Sequence, residues 1–342
     1  MANAQEVISK RNRNTTLDIF KLFSAYMVVF IHVPFYGEMG GIVQSIARFA
    51  VPVFFISSGF FVYNNNCEKI KKKIKNIFLM YVFTTVLYHL FGIVSSFITG
   101  ASVGEIIADY MELLRMKSMI EFFIFNVSLS SEHLWFLLAL LYCYVIQYFV
   151  CKFKIPEKVT FLFAIICLIA NLILSEGMAL FNIEIPAIVT RNFLFVGYPF
   201  VVIGLWLRKN TDKIVKTNRK GLIIVFLLGL AETILSRICL GKEELYIGSI
   251  LMAITLMILA IKNPQIIKSE KIVNLSRLHQ NIYLFHVVVY KTARVILPMF
   301  GISFTSKVLG FVYPILICIA TTILAYIIDK VQAKILVRNS AT

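Results

Sequence analysis

The amino-acid sequence predicts an all-α polytopic membrane protein with about ten transmembrane helices and both termini in the cytosol. Hydrophobic residues make up 59% of the chain and charged residues only 15%, whereas an ordinary soluble domain carries about 25% charged residues. The mean hydropathy is +0.83. A water-exposed globule of 342 residues could not be covered by so few polar side chains, so these values exclude the soluble classes.

Apolar stretches of spanning length recur along the whole chain. About 20 helical residues cross the hydrocarbon core of a bilayer. The predicted spans are roughly 17–36, 43–63, 77–98, 133–150, 158–175, 191–208, 221–238, 244–262, 279–297 and 307–328. Residues 1–342 are therefore predicted to form a single membrane-embedded domain, with a helical bundle over 17–329 and cytosolic tails at 1–16 and 330–342.

The positive charge of the chain lies in alternate loops between these spans. The formal net charge of +16 could by itself indicate a nucleic-acid partner. Lysine and arginine instead fill the N-terminal tail, the loop with the KKKIK run and every second loop after it. Because basic residues collect in cytoplasmic loops, this pattern predicts a multi-pass protein of the cell membrane that contacts membrane lipids and no nucleic acid. The KKKIK run is interpreted as an anchor on anionic lipid, or alternatively as part of a site for an anionic cytosolic ligand.

The six cysteines show no CxxC pair and no spacing with histidine that suits a metal ion. Most of them lie within predicted spans or on the predicted cytosolic side, where thiols stay reduced. The sequence therefore predicts neither a disulfide nor a metal site.

The first predicted span, LDIFKLFSAYMVVFIHVPFY, contains Lys21 and His32 eleven residues apart. Eleven steps of about 100° return to nearly the same side of a helix, with a rise of about 16 Å. Lys21 and His32 are therefore expected to share one face, with Lys21 near the cytosolic surface and His32 well toward the opposite side.

Arg48 lies near the start of the second predicted span, in IARFAVPVFFISSGFF. A charged side chain in a spanning helix costs roughly 3 kcal/mol or more and usually faces protein or water. If the first two spans form a hairpin that turns around Gly40 and Gly41, His32 and Arg48 lie at one depth. An imidazole suits general-base catalysis, and an arginine beside it suits stabilisation of an oxyanion. In a purely structural alternative, Arg48 binds carbonyls freed by Pro52, and His32 is an interior histidine with satisfied hydrogen bonds.

The same hairpin places Lys21 opposite Gly59. The small residues Ser57, Ser58 and Gly59 would let the two backbones approach closely at that point, and Ser58 is predicted to contact substrate together with Lys21.

Four further residues of later spans are predicted to bind substrate. His133 and Trp135 are expected at the outer mouth of the fourth span, where Trp135 could be a platform for a sugar ring or an ordinary interfacial anchor. Tyr283 and His286 are expected near mid-membrane, in NIYLFHVVVYKTARVI. For His286 a substrate-binding role and a structural role both stay open.

Five stretches together resemble the acyltransferase 3 family of multi-pass membrane acyltransferases. They are LDIFKLFSAYMVVFIH, RFAVPVFFISSGFF, HLWFLLALLYCYV, RNFLFVGYPFVVIGLWL and SRLHQNIYLFHVVVY. The resemblance implies transfer of an acyl group, commonly acetyl, from cytosolic acyl-CoA to a hydroxyl of an extracytoplasmic or lipid-linked glycan, with acetyl-CoA as donor substrate and no bound cofactor. The family's first span usually carries an arginine, ten residues and then a histidine. His32 matches that histidine, whereas Lys21 stands at the arginine position and lacks the bidentate fork.

The resemblance implies a mechanism in which the nucleotide of CoA rests on the cytosolic side near Lys21. The acceptor hydroxyl would enter past His133 and Trp135, and His32 would deprotonate it while Arg48 assists the oxyanion. Two other classes remain open: a transporter of a small metabolite or lipid-linked sugar, and a non-catalytic membrane subunit.

Overall fold

A computed structural model describes residues 14–266, 269–302 and 306–340 of the chain. The predicted N-terminal tail up to residue 13 and the last two residues of the C-terminal tail lie outside the described residues. Within these ranges every regular element is helical and no strand is present. The all-α class is therefore confirmed.

The residues that the structure describes form sixteen α-helices. They are α1 (Thr15–His32), α2 (Gly37–Ile46), α3 (Ala50–Phe60), α4 (Cys67–Ile98), α5 (Val103–Leu113), α6 (Met116–Phe125), α7 (Trp135–Lys152), α8 (Glu157–Leu172), α9 (Ala187–Thr190), α10 (Tyr198–Lys209), α11 (Thr211–Ile214), α12 (Arg219–Leu240), α13 (Ile247–Lys262), α14 (Glu270–Ser276), α15 (His279–Met299) and α16 (Lys307–Ser340). The 3₁₀ turns Ala47–Phe49 and Glu132–Leu134 precede α3 and α7. The π-helical turns Ile173–Gly177 and Phe193–Gly197 follow α8 and precede α10.

Eight helical segments of the described chain are long and apolar enough to cross a membrane. They are Thr15–His32, Gly37–Phe60, Cys67–Ile98, Glu132–Lys152, Glu157–Gly177, Arg219–Leu240, His279–Met299 and Lys307–Ile335. These segments coincide with eight of the ten predicted spans. The predicted span 244–262 is the shorter apolar helix α13, of 16 residues. The span 191–208 is helical only from Phe193 onward, because Asn192 has an extended backbone. The count of ten and the cytosolic termini stay predictions.

The helices divide into an interior group and a peripheral group. Buried apolar side chains come mainly from α1, α3, α7, α10, α13 and α15, whereas large exposed apolar side chains lie chiefly along α4, α8, α12 and α16. A soluble protein rarely exposes apolar surface on this scale. The peripheral helices therefore present the surface expected to face lipid.

The first hairpin turns at residues 33–36, and the predicted turn at Gly40 and Gly41 is wrong. Proline disfavours a helical conformation at the residue before it, so Pro34 accounts for the end of α1 at His32. Both glycines lie within α2, and Gly40 packs directly on a backbone carbonyl of the turn. From there α2, the 3₁₀ turn and α3 continue as one helical segment, Gly37–Phe60.

The small residues of α3 pack on α10, so the predicted close approach of α1 at Gly59 is wrong. A side chain at Gly59 would overlap the Val201 carbonyl, and one at Gly204 would overlap the Ile56 carbonyl. Paired glycines of this kind let two helix backbones cross in contact. Lys21 of α1 nevertheless lies near the end of α3, with its Nζ atom 4.9 Å from the ring centroid of Phe61.

The structure pairs Cys67 with Cys151 as a disulfide, so the prediction of no disulfide is wrong. Helix α4 begins beside the end of α7, which brings the two Cα atoms to 6.0 Å. This separation lies in the ordinary range for a disulfide. The sequence argument rested on the redox state of a compartment and could not detect that two distant helix ends meet.

Candidate active site

Two cavities lie one behind the other in the interior of the bundle. The histidine cavity has a volume of about 40 Å³, and the polar and aromatic members of its lining include His32, Arg48, His133, Trp135, Arg191, Glu244 and Tyr283. The lysine cavity has a volume of about 250 Å³, and the polar members of its lining are Lys21, Ser57, Ser58, Lys73, Tyr144, His279, Gln280 and Tyr283. Lys21 and His32 of α1 therefore lie at different cavities, as their separation along the helix requires.

Phe136 and Tyr283 line both cavities and separate them. Their ring centroids are 5.5 Å apart, with the rings inclined at 71°. The Tyr283 hydroxyl donates to the backbone carbonyl of His133, which fixes α15 against the beginning of α7. A molecule that reached from one cavity into the other would pass this aromatic pair.

His32 lies at the last residue of α1 with its side chain only partly buried. Its ring centroid is 5.2 Å from that of His286 and 6.1 Å from that of His133. Neither ring nitrogen of His32 forms a hydrogen bond with any residue that the structure describes. His32 is thus an accessible imidazole with a nitrogen available to a substrate.

Arg48 lies in the 3₁₀ turn that joins α2 to α3. Pro52 has no N–H group to donate to the carbonyl of residue 48, and its ring would crowd that carbonyl in a regular helix. The tighter turn at Ala47–Phe49 follows from this local conflict. It occurs at the depth of the histidine cavity and brings the Arg48 side chain, 8% exposed, into the cavity wall.

Glu244 pairs with Arg48 in a bidentate arrangement that sequence reasoning missed. The Nη1 atom of Arg48 donates to Oε2 at 2.7 Å, and Nη2 donates to Oε1 at 3.2 Å. The Nε atom of Arg48 is buried and has no hydrogen-bond partner among the described residues. The guanidinium is therefore held by Glu244 through its two terminal nitrogens, and the Nε–H group is a buried donor that no described residue accepts from.

The loop that carries Glu244 is fixed by buried hydrogen bonds. The Tyr246 hydroxyl accepts from the backbone N–H of Glu243 at 2.9 Å, donates to the Gly241 carbonyl at 3.0 Å and lies 3.0 Å from the Ser45 hydroxyl. Two carboxylates then cap the beginning of α13, since Glu176 accepts from the backbone N–H of residue 247 and Glu232 from that of residue 248. Carboxylates at a helix N-terminus satisfy its unpaired N–H groups.

The environment of Glu244 keeps its carboxyl ionised. Burial acts to raise the pKa of Glu244, but the charges of Arg48, Arg191 and Lys242 and the hydrogen bond from Arg48 outweigh burial, so its pKa lies below the ordinary value. The second of these cations, Arg191, has its Nη1 atom 3.7 Å from Glu244 and its guanidinium carbon 5.7 Å from the ring centroid of Trp135. Arg191 and Glu244 are therefore part of the cavity wall, where each contacts residues that are distant from it in sequence.

His133 and His286 both lie next to His32, but the ring nitrogens of the two residues differ in their hydrogen bonds. His133 is 1% exposed, with Nδ1 2.9 Å from the Ser131 hydroxyl and Nε2 3.3 Å from the Leu284 carbonyl, so both of its ring nitrogens have partners. His286 is fully buried, and its Nδ1 lies 2.8 Å from the Tyr283 carbonyl. Its Nε2 has no partner in the described part of the chain. His286 is the nearer histidine to His32 and retains an unpaired nitrogen.

The lysine cavity contains two cations from different helices. Lys21 reaches it from α1. Lys73 of the KKKIK run, for which the sequence left a lipid anchor and a site for an anionic cytosolic ligand open, reaches it from α4 with its Nζ atom 5.9 Å from the Tyr144 ring centroid. The Ser58 hydroxyl lines this cavity but donates to the Phe54 carbonyl of its own helix at 2.8 Å. The cavity thus offers paired positive charge beside an apolar and aromatic wall.

The sequence model of the acyltransferase 3 family, described as an acyltransferase domain, matches residues 14–330. Two proteins of Enterococcus faecalis named amino-acid racemase are similar to parts of this chain: one is 24% identical over 246 residues, 66% of this chain, and the other 28% identical over 142 residues, 37% of this chain. The matched regions cover 32% and 18% of these relatives, so the chain spans about a third of their length or less. No solved structure gives a significant match. Because the family match extends over nearly the whole chain, this membrane protein belongs to the acyltransferase 3 family.

Proposed function

We propose that this protein transfers an acyl group, acetyl in the first instance, from cytosolic acyl-CoA to a hydroxyl of an extracytoplasmic or lipid-linked glycan at the cell membrane. The supporting observation is that a cavity with two lysines and a cavity with His32 and Arg48 meet at the Phe136 and Tyr283 rings. Transfer between substrates on opposite sides of a membrane requires such a meeting point. Family membership supports the reaction class.

In this proposal the donor occupies the lysine cavity and needs no bound cofactor. Lys21 and Lys73 attract the anionic nucleotide portion of CoA, since lysine binds phosphate as a point charge. A cavity needs only about 10–15 Å³ to hold one water molecule, so the lysine cavity, of about 250 Å³, is large enough for the pantetheine arm. The thioester then lies at Phe136 and Tyr283, beside His32.

The chemistry proceeds at His32 and Arg48 in a balanced sequence. A nitrogen of His32 removes the proton of the acceptor hydroxyl as the oxygen attacks the thioester carbonyl. The N–H group of Arg48 that has no partner, Nε, donates to the tetrahedral oxyanion. When the oxyanion collapses, the carbon–sulfur bond breaks and the CoA sulfur takes the proton from His32. His286, with its ring centroid 5.2 Å away, is placed to orient His32.

The acceptor reaches the histidine cavity from the side opposite the lysines. Trp135 and Arg191 stack with 5.7 Å between the guanidinium carbon and the ring centroid. An aromatic face beside a fixed cation suits a sugar ring that carries hydroxyl or anionic groups. His133 serves in this scheme to hold the wall, because its ring nitrogens are already paired.

The test of the proposed function compares surface glycans from cells with and without the gene. We expect mass spectrometry to detect an ester-linked acyl group, lost on mild alkaline treatment, only where the protein is present. Feeding isotopically labelled acetyl-CoA to membrane vesicles should transfer the label to the same glycan. Identical glycan acylation in the two strains would contradict the proposal.

The donor site predicts different outcomes for two neighbouring lysines of α4. Lys73→Met, like Lys21→Met, should weaken acyl-CoA binding roughly ten- to a hundredfold, the range expected for one lost hydrogen bond to a charged group. Lys72, exposed and absent from the cavity lining, provides the control, and Lys72→Met should bind normally. Lys21→Arg should retain much of the affinity because the charge remains. Equilibrium binding of acetyl-CoA to the purified full chain measures all four, and equal affinities would remove the lysines from the donor site.

A further inference from the structure

We propose that Arg208 binds the 3′-phosphate of the donor nucleotide, in a third cavity that continues the lysine cavity toward the cytosolic surface. This inference rests on the proposed function, because it takes acyl-CoA as the donor and places its pantetheine arm in the lysine cavity. It adds a residue that recognises the nucleotide and so distinguishes CoA from a donor that lacks the 3′-phosphate.

The arginine cavity, as we call this third cavity, has a volume of about 600 Å³, and its lining includes Asp18, Phe61, Tyr63 and Arg208. Phe61 lines the lysine cavity as well. Its ring is 50% exposed, and the Nζ atom of Lys21 lies 4.9 Å from the ring centroid. The arginine cavity therefore begins where the lysine cavity ends.

The length of the lysine cavity leaves the nucleotide outside it. Phe54 and Phe61 both line this cavity, and the helical stretch between them rises about 10 Å. The Phe54 ring centroid is 5.9 Å from that of Phe136 and 6.0 Å from that of Tyr283, at the place proposed for the thioester. An extended pantetheine arm is longer than this rise. The diphosphate therefore reaches the end of the cavity near Lys21, and the ribose and adenine extend beyond Phe61 into the arginine cavity.

Arg208 supplies an exposed guanidinium to the arginine cavity. Its guanidinium carbon lies 5.0 Å from the ring centroid of Phe60, which is only 7% exposed, so a fixed aromatic ring orients the cation. No carboxylate of the described residues forms an ion pair with Arg208. A guanidinium presents a planar fork of N–H donors that matches the oxygens of a phosphate. Arg208 is therefore held in place with donors left for an anionic ligand.

The other side chains of the arginine cavity suit a nucleotide oriented in this way. Asp18 lines the cavity from α1, and its carboxylate would repel a phosphate placed beside it, which favours the Arg208 wall for the anionic group. The rings of Phe61 and Tyr63 offer a purine base faces on which to stack. A phosphate attached to a nucleoside therefore fits this cavity better than a phosphate alone.

The test compares binding of acetyl-CoA and 3′-dephospho-acetyl-CoA to the purified full chain in detergent, by equilibrium dialysis with the acetyl group labelled. In the wild type we expect acetyl-CoA to bind roughly ten- to a hundredfold more tightly, the range for a hydrogen bond to a charged group. In Arg208→Gln we expect acetyl-CoA to fall to the affinity of the dephospho form, whose own affinity should not change. Arg208→Lys should keep part of the preference, because the charge remains without the planar fork.

Lys209→Gln provides the matched control, because it removes a positive charge from the adjacent residue. Lys209 pairs with Glu157 and is absent from the lining of the arginine cavity, so this variant should keep the wild-type preference. Equal affinities of the two nucleotides for the wild type, a preference unchanged in Arg208→Gln, or an equal loss of preference in Lys209→Gln would overturn the inference, while binding of acetyl-CoA left the donor site standing. If the wild type bound neither nucleotide, the proposed donor site would fail, and this inference with it.

Discussion

Replacement of His32 by alanine should abolish acyl transfer while leaving the protein folded and able to bind acyl-CoA. General-base catalysis contributes about 10²–10⁴-fold to a rate, and His32 makes no hydrogen bond to any described residue whose loss would destabilise the bundle. The measurement is transfer of labelled acetyl groups from acetyl-CoA to the glycan fraction, with donor binding recorded on the same preparation.

His89 supplies a control for this variant. It is a histidine of α4 whose ring bonds the Tyr110 hydroxyl at 3.2 Å and which lines neither cavity. Because His89 lies outside both cavities, we expect His89→Ala to transfer acetyl groups at close to the wild-type rate. A folded His32→Ala protein that acylates at a near wild-type rate would exclude His32 as the base, and a transport function for the same polar residues would then become the leading hypothesis.

Features that depend on local sequence were predictable for this protein. Composition and hydropathy identified the membrane class, and eight predicted spans coincide with helices of spanning length. The periodicity of one helix placed Lys21 and His32 on a common face, and both line interior cavities. His32 and Arg48 line one cavity, although the hairpin turns at residues 33–36 instead of at the glycines; their common depth in a membrane stays a prediction.

Features that depend on packing between distant segments were not predictable. Glu244 lies 196 residues from Arg48 in sequence, and nothing in the loop sequence GKEELY distinguishes it from the adjacent Glu243. Phe136 is one of 30 phenylalanines and acquires a role only where α7 meets α15. Lys73 lies within a basic run whose other lysines are exposed. It lines the lysine cavity only because α4 is oriented with this side chain toward the interior. The Cys67 and Cys151 pair likewise needs two helix ends to meet.

The buried pair of Arg48 and Glu244 predicts the largest combined effect on stability and activity. These side chains are 8% and 12% exposed, and removal of one partner of a buried ion pair typically destabilises a protein by about 3–5 kcal/mol. Glu244→Gln should cost this order of stability because it leaves Arg48 unpaired, with Arg191 close by. The exposed pair of Lys209 and Glu157 provides the control, and Glu157→Gln should change stability by about 1 kcal/mol or less.

A double substitution separates the structural role of this pair from its catalytic role. Arg48→Met with Glu244→Gln removes both charges, so the full chain should regain much of the stability lost in Glu244→Gln, as measured by thermal unfolding in detergent. Transfer should nevertheless stay about 10²–10³-fold below wild type, since the donor to the oxyanion is gone. Arg48→Lys should fail to a similar degree, because an ammonium cannot both pair with Glu244 along one edge and donate from another. If the double variant recovered both transfer and stability, Arg48 would only support the fold. The oxyanion would then need another donor in the histidine cavity, and Arg191 is the other guanidinium in its lining.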